Sequence, residues 1–431
     1  MDKRFFKLYN LTEEEAIAVL DTPQDQIEED DSRYVVAAHL VNFQSENSIN
    51  ALIRAIQNTD PSLDNRIVRR KSIETLGRLH ALQAIPVIRT CLAEEDCYTV
   101  EIAVWSLGEI GCQDPEILEE MAQLLDKPGQ LYRVIIHTLA KLNYQKAIDR
   151  IKNYIDHKDK TIASAAISAI CRLSGDYREM EKVVAFLQHP NVNARRGCIQ
   201  DLIDCCYYPA IAQIASCPVS LVFRLRAIRT LAETGIKDGS LTFEQIQPSL
   251  EKVLRDHPDD LNLVHQYDQP PSIEFVIREL YHTDFGRCYL ASKTLLDTYS
   301  QDAPQALLTT YAQEAHNDYG AHYHVIKLLG WLCHHAAYDL LIEALQNTAP
   351  QFQKSRAAAA IALGEIGDKR AIPALEASLK TPIWDLKYAS LMALDKLGEI
   401  KSYEIAATDP DPLIRAKVAQ TSPKALTAIN P

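Results

Sequence analysis

The chain has 431 residues, enough for two or three ordinary domains or for one long array of repeats. Its 45 basic and 58 acidic side chains leave a net charge of −13, which repels nucleic acid and anionic membrane surfaces and disfavours both as partners. No apolar run approaches the length of a membrane span, and the opening MDKRFFKLYN lacks the apolar core of a signal peptide, so the expectation is a cytoplasmic protein without membrane insertion.

In chain order, residues 1–45 predict capping helices, with a polar-faced stretch over Leu11 to Leu40. A first helical array is expected over 46–233. Leu-Gly pairs punctuate it at Leu76-Gly77 and Leu107-Gly108, and return later at Leu329-Gly330, Leu363-Gly364 and Leu397-Gly398. The intervals are 31 residues for the first two and 34 for the last three, the period of a helical solenoid. LGRLHALQAIPVIRTCL (76–92) and LGEIGDKRAIPALEASL (363–379) share the spacing of the glycine and the Ile-Pro pair across almost 300 residues.

The unit has a physical reading. A first helix opens with proline, whose missing N–H is unbonded there anyway. A second amphipathic helix runs to the Leu-Gly, where the glycine is expected to take the left-handed C-cap. No single pair buries its apolar face, so neighbours must stack. Residues 234–271, with TGIKDGSLTFEQIQ and DHPDDLNLVHQYDQPPS, break the period and predict an irregular interruption. A second array is expected over 272–400, and a cap or tail over 401–431. The pattern resembles the HEAT-repeat family. It implies an all-α fold, a right-handed α-solenoid of stacked helix pairs, curved with a concave groove.

Ten cysteines are scattered without a C-x-x-C pair, so neither a zinc site nor a disulfide framework is signalled. His316, His322, His324, His334 and His335 are dense, but His322 and His324 point to different sides of a helix and no acidic residue completes a compact set; no metal is expected. The His-Glu dipeptides of di-iron hydroxylases built on HEAT repeats are missing, as are the nucleophile-elbow, Walker and Rossmann patterns.

The candidate chemistry lies on second helices. In HNDYGAHYHVIKLLGWLCHH (316–335), Val325, Leu328, Leu329, Leu332 and Ala336 fall on one side, with His316, Tyr319, Tyr323, Lys327 and His334 roughly opposite. DFGRCYLASK at Asp284 echoes DYGAHYHVIK at Asp318 one period later, which puts Phe285, Tyr289 and Lys293 in register with Tyr319, Tyr323 and Lys327. The same register holds Arg66 and Arg70 in one early unit and Glu101 and Trp105 in the next. Second helices commonly line the concave surface, so aromatic, basic and acidic groups are expected to converge on a groove.

Four stretches carry a more specific resemblance: RFFKLYNLTEEEAIAVLDTPQDQIEEDDSRYVVAAHLVNF near the start, VEIAVWSLGEIG at Val100, YHTDFGRCYLASKTLL at Tyr281 and HNDYGAHYHVIKLLGWL at His316. In these words the chain is similar to the phycobilin lyases of the HEAT-repeat E/F type, and most of all to the single-chain members serving phycoerythrin. The resemblance implies attachment of phycoerythrobilin, as substrate and with no cofactor, to a cysteine of an apo-phycoerythrin alpha subunit. Some relatives also isomerise the pigment to phycourobilin. A chaperone that binds bilin or apo-subunit without catalysis, and a plain HEAT scaffold, are the competing readings.

On that resemblance, Asp318, with Asp284 as second candidate, would hold the pyrrole nitrogens and keep the bilin protonated. Tyr319, Tyr323 and His316 would move the proton when a thiolate adds to the ethylidene group. Lys327, Lys293, Arg287, Arg66 and Arg70 are candidate propionate partners. Trp105 and Trp331 are candidate walls, with Tyr289 and Glu101 beside them. Asp284 and Asp318 also stand where a carboxylate caps a helix, and Trp331 at the edge of an apolar face.

Overall fold

The computed structural model describes residues 11–27 and 32–429. Residues 1–10 and 28–31 of the predicted N-terminal cap, and 430–431 of the predicted tail, lie outside the described residues. Every regular element among the described residues is helical, and none is long and apolar enough to cross a membrane. Two compact units divide the chain, Met1–Met180 and Glu181–Pro431.

In the first unit, α1 (Glu13–Asp21) opens on a capping box in which Thr12 and Glu15 satisfy each other's backbone N–H groups. After α2 (Arg33–His39) and α3 (Glu46–Gln57), the second helices α4 (Leu63–Arg78), α5 (Cys97–Ile110), α6 (Tyr132–Lys141) and α7 (Lys160–Ser174) pack in succession. Shorter first helices, Ile85–Thr90 and Pro115–Gln123 among them, begin with proline as predicted. One apolar core runs through the unit, from Leu20 through Leu76 and Leu107 to Leu139 and Leu173.

The Leu-Gly glycines differ from expectation. Only Gly398 adopts the left-handed conformation, at φ 73°. Gly77, Gly108, Gly330 and Gly364 lie inside or against their helices, facing the next one. A Cβ on Gly77 would meet Ser106 at 2.8 Å, one on Gly108 would meet Thr138 at 2.8 Å, and one on Gly330 would collide with Ala362. The periodic glycine therefore marks where consecutive second helices approach within backbone distance.

The second unit holds α8 (Val192–Asp204), α9 (Leu221–Asp238), α10 (Phe243–Arg255), α11 (Ile273–Glu279), α12 (Phe285–Asp297), α13 (Ala303–Thr310), α14 (Tyr319–Trp331), α15 (Gln353–Ile366), α16 (Trp384–Lys396) and α17 (Pro412–Ile429). The segment 234–271, predicted to lie between two arrays, falls inside this unit. Its middle is α10, because Phe243, Ile246, Leu250, Val253 and Leu254 form a helical apolar stripe that outweighs Pro248 in the interior. α10 packs against α15 and α16. Lys417 of α17 reaches Glu251 of α10 at 2.8 Å, and Arg229 of α9 reaches Asp411 at 2.6 Å. The early and late helices of this unit thus meet.

Candidate functional site

Asp318 starts α14. Its Oδ1 accepts the Gly320 and Ala321 N–H groups at 2.9 and 2.7 Å, so the carboxylate caps the helix. Tyr319, in the first turn, is 57% exposed. Beyond it the predicted division into an apolar and a solvent-facing side fails. Gly320 through Gly330 are all buried, because α12 and α15 flank the helix and residue 256 closes over the side that carries Tyr323 and Lys327.

Asp256 is the centre of that closure. It ends α10 in a left-handed conformation at φ 52° and is wholly buried. Its carboxylate accepts the Tyr323 hydroxyl at 2.5 Å and the Tyr289 hydroxyl at 3.1 Å, and pairs with Lys327 Nζ at 2.5 Å and with the Arg224 guanidinium. Arg224 also donates to Tyr289 Oη at 2.9 Å and to the Ala215 and Val219 carbonyls at 3.0 and 3.1 Å. Burial pushes the Asp256 carboxyl up, but Lys327 and Arg224 outweigh it and hold the group down at about 2. Burial raises both tyrosine hydroxyls well above their usual range.

Three predicted roles are corrected by this knot. Tyr323 has no solvent access and a hydroxyl that resists ionisation, so it is no proton carrier for a ligand. Lys327, predicted to pair with a propionate, already has its carboxylate. Tyr289 is equally sealed, behind the rings of Phe285 and His324 at 6.0 and 5.5 Å.

Next to the knot a cleft of about 540 Å³ opens to solvent, lined by Arg196, Phe223, Phe285, Tyr319, Lys354 and Asp385 among others. A second hollow of about 340 Å³ shares Val222, Lys354 and Asp385 with it and adds Arg229 and Trp384. The placement follows from the repeat. Phe285, Tyr319, Lys354 and Asp385 stand in the first turns of α12, α14, α15 and α16, and Val222 and Phe223 in the first turn of α9. The amino ends of five helices therefore border one space, each adding partial positive charge. α9, α15 and α16 start without a side-chain cap from the residue before them, and the Asp385 carboxylate itself takes backbone N–H groups in the first turn of α16.

The charged side chains of the cleft are unlike those of the knot. Lys354 Nζ rests over the rings of Phe285, Tyr319 and Tyr323 at 4.5, 4.6 and 5.1 Å, and no carboxylate among the described residues pairs with it. Burial pushes its ammonium down to about 8. Arg196 lies over Phe223 at 5.1 Å and donates to the Thr283 carbonyl at 3.3 Å, while its buried Nε has no partner among the described residues. Burial raises the Asp385 carboxyl, against the pull of nearby backbone N–H groups, Arg229 and Arg356. Trp384 lies beneath the Arg229 guanidinium at 4.7 Å, and its buried indole N–H has no acceptor among the described residues.

The remaining predicted residues are dispersed. Asp284 caps α12 through the Gly286 N–H at 2.8 Å, and its two oxygens also hold Arg195 at 2.6 Å and His265 at 2.9 Å. A carboxylate so fully engaged has no room for pyrrole nitrogens, which corrects that role. Arg287 is paired with Glu279 at 2.7 Å, and Lys293 with Asp259 and Asp297 at 2.5 and 2.9 Å, so neither is a free propionate partner. Trp331 packs on His257 at 4.7 Å and does not border the cleft. His316 is exposed and bonds the Tyr311 carbonyl at 2.9 Å and Asn317 at 2.8 Å. Arg66, Arg70, Glu101 and Trp105 belong to the first unit. There Arg66 is exposed, Arg70 pairs with Asp96, Trp105 is half-buried, and burial raises the Glu101 carboxyl.

Of the predicted site residues, the cleft gathers only Tyr319, with Asp318 adjoining it. Lys354, Asp385, Arg196 and Phe223 were missed. A signal was present: Phe285, Tyr319 and Lys354 follow one another at 34 and 35 residues, and Asp385 comes 31 residues after Lys354.

The family model described as HEAT repeats matches residues 350–422. The chain is 62% identical over 97% of its length to the uncharacterized phycocyanin operon protein Y of Pseudanabaena tenuis, covering 99% of that protein. It is 33% identical over 89% of its length to bilin biosynthesis protein CpeY of a Synechococcus species, covering 95% of it. A phycocyanobilin lyase subunit alpha from a Picosynechococcus species matches 54% of this chain at 28% identity, over 91% of its own length.

Proposed function

We propose a function from one premise: the chain belongs to the CpeY-like bilin lyase family. It is a bilin lyase. Its substrate in this reading is phycoerythrobilin, joined through a thioether to a cysteine of an apo-phycoerythrin alpha subunit, with no further cofactor. The observation that carries the reading is the cleft of the second unit, where Phe223, Phe285 and Tyr319 wall about 540 Å³ between helix amino ends. An open-chain tetrapyrrole offers a long conjugated face for such rings and pyrrole N–H groups for a carboxylate.

In that cleft the carboxylate is Asp385. It accepts the pyrrole N–H groups and stays beside the protonated bilin as its counter-ion, which makes the ethylidene carbon more electrophilic. The acceptor thiol then adds across the ethylidene double bond. Its S–H bond breaks, sulfur bonds the exocyclic carbon, the proton ends on the ring carbon, and no oxidant or reductant is needed. Tyr319, at the cleft mouth, is the candidate to relay that proton, while Asp318 positions it by fixing the first turn of α14.

The test is co-expression with a bilin source and an apo-phycoerythrin alpha subunit. Colour that stays on the subunit after acid denaturation is expected. Pigment held only by this chain would replace the lyase with a chaperone, and no colour on either would end the reading. Absorption of the attached pigment reports whether phycourobilin has been formed.

A further inference from the structure

Most cations buried in the second unit have an acid waiting for them; Arg356, which donates to the Leu345 carbonyl at 2.8 Å, is an exception. Arg195 meets Asp284, Arg224 and Lys327 meet Asp256, and Lys387 meets Asp409. Removing a charge from water is unfavourable enough that a partner is the normal outcome. Lys354 and Arg196, both half-buried, also lack an acid, and they do so in one place. Each lies on aromatic faces within the same cleft, and neither has a carboxylate among the described residues. Stacking on a ring replaces part of the lost hydration but supplies no counter-charge.

The backbone adds to the same field. The amino ends of α9, α15 and α16 border this space without side-chain caps from the residues before them, so the helix dipoles favour an anion there. The single acid on the wall, Asp385, does not pair with either cation. Two unpaired cations beside flat rings describe the complement of a planar molecule with two carboxylates.

We propose that Lys354 and Arg196 form a two-point clamp for the two propionates of the tetrapyrrole, which makes them the groups that select a free diacid and orient its conjugated body against Phe223, Phe285 and Tyr319. This rests on the bilin-lyase reading and names the recognition within it. It also reassigns the propionate contacts from Lys327, Lys293 and Arg287, which are already engaged with carboxylates of this chain. Lys354, lying over Tyr319, would hold one end of the pigment at the mouth where the acceptor cysteine must approach.

The experiment titrates the full-length chain with phycoerythrobilin and with its dimethyl ester, followed by absorbance and fluorescence. The wild type is expected to bind the diacid about 10- to 100-fold tighter than the ester, as befits charge-assisted bonds in a partly desolvated site. K354M and R196M should each remove most of that preference by weakening diacid binding while leaving ester binding and far-ultraviolet circular dichroism unchanged; K354R should restore much of it. Equal binding of diacid and ester by the wild type, or diacid binding unchanged in both variants, overturns the clamp and leaves the lyase reading standing. Binding of neither pigment overturns the reading of the cleft as a bilin site and the clamp with it.

Discussion

Two lysines of the second unit, Lys327 and Lys354, both lie over the ring of the same tyrosine. Lys327 lies 5.0 Å from the centre of the Tyr323 ring and Lys354 lies 5.1 Å from it. One ammonium closes onto Asp256 and the other onto no carboxylate among the described residues. The first belongs to a region where one carboxylate, Asp256, holds both Lys327 and Arg224, and such networks hold a fold in one arrangement. The second belongs to a region left incomplete by the chain itself, and incompleteness of that kind is what a ligand site looks like before its ligand arrives.

The largest effect that separates the two comes from Asp256→Asn. It leaves Arg224 and Lys327 buried without their acid and should lower stability by about 3–5 kcal/mol, read from chemical denaturation. Acid should act on the same residue. The Asp256 carboxyl titrates at about 2 in the folded chain against 3.8 ordinarily, so the unfolded chain takes up the proton first. Its stabilisation is complete above about pH 4 and is lost as pH falls toward 2, and a pH series of unfolding midpoints should show wild type converging on Asp256→Asn over that window.

Tyr323→Phe is a finer cut. It removes the hydroxyl donated to Asp256 and keeps the ring beneath Lys354, so about 1.5–3 kcal/mol of stability should go while pigment binding stays. Smallest in stability is Lys354→Met, at about 0–1 kcal/mol and of either sign, because no ion pair is broken. Its loss should instead appear in binding. Denaturation and pigment titration measured on both variants would collapse the distinction if the two lost the same property.

Much of the fold was legible, and the reason is the period. Leu-Gly spacing and Ile-Pro starts gave the helix pairs, because stacking demands the same small residue at each crossing. What the glycine does there was misread, since a residue suited to a left-handed cap is equally suited to a close approach, and only the neighbouring Ser106 or Ala362 separates the two. The site was less legible. The register put Tyr319, Tyr323 and Lys327 on one side of α14, but which of them meets solvent depends on Asp256, supplied by a segment outside the repeat pattern. Lys354 stands in QFQKSRAAAA, whose bland wording hid a position equivalent to Phe285 and Tyr319. Residues rich in aromatic and histidine neighbours drew attention, while the clearest functional sign, a cation with no acid, exists only in three dimensions.

The bridges from α9 and α10 to the last helix, Arg229 to Asp411 and Lys417 to Glu251, change how the second unit can come apart. An open stack of repeats has two ends, and each end frays without asking the middle. Tying late helices to early ones removes the ends. Opening at any seam must then break a bridge as well as a neighbour contact, so the unit should melt as one cooperative transition, with the cleft inside it among the last features to be lost.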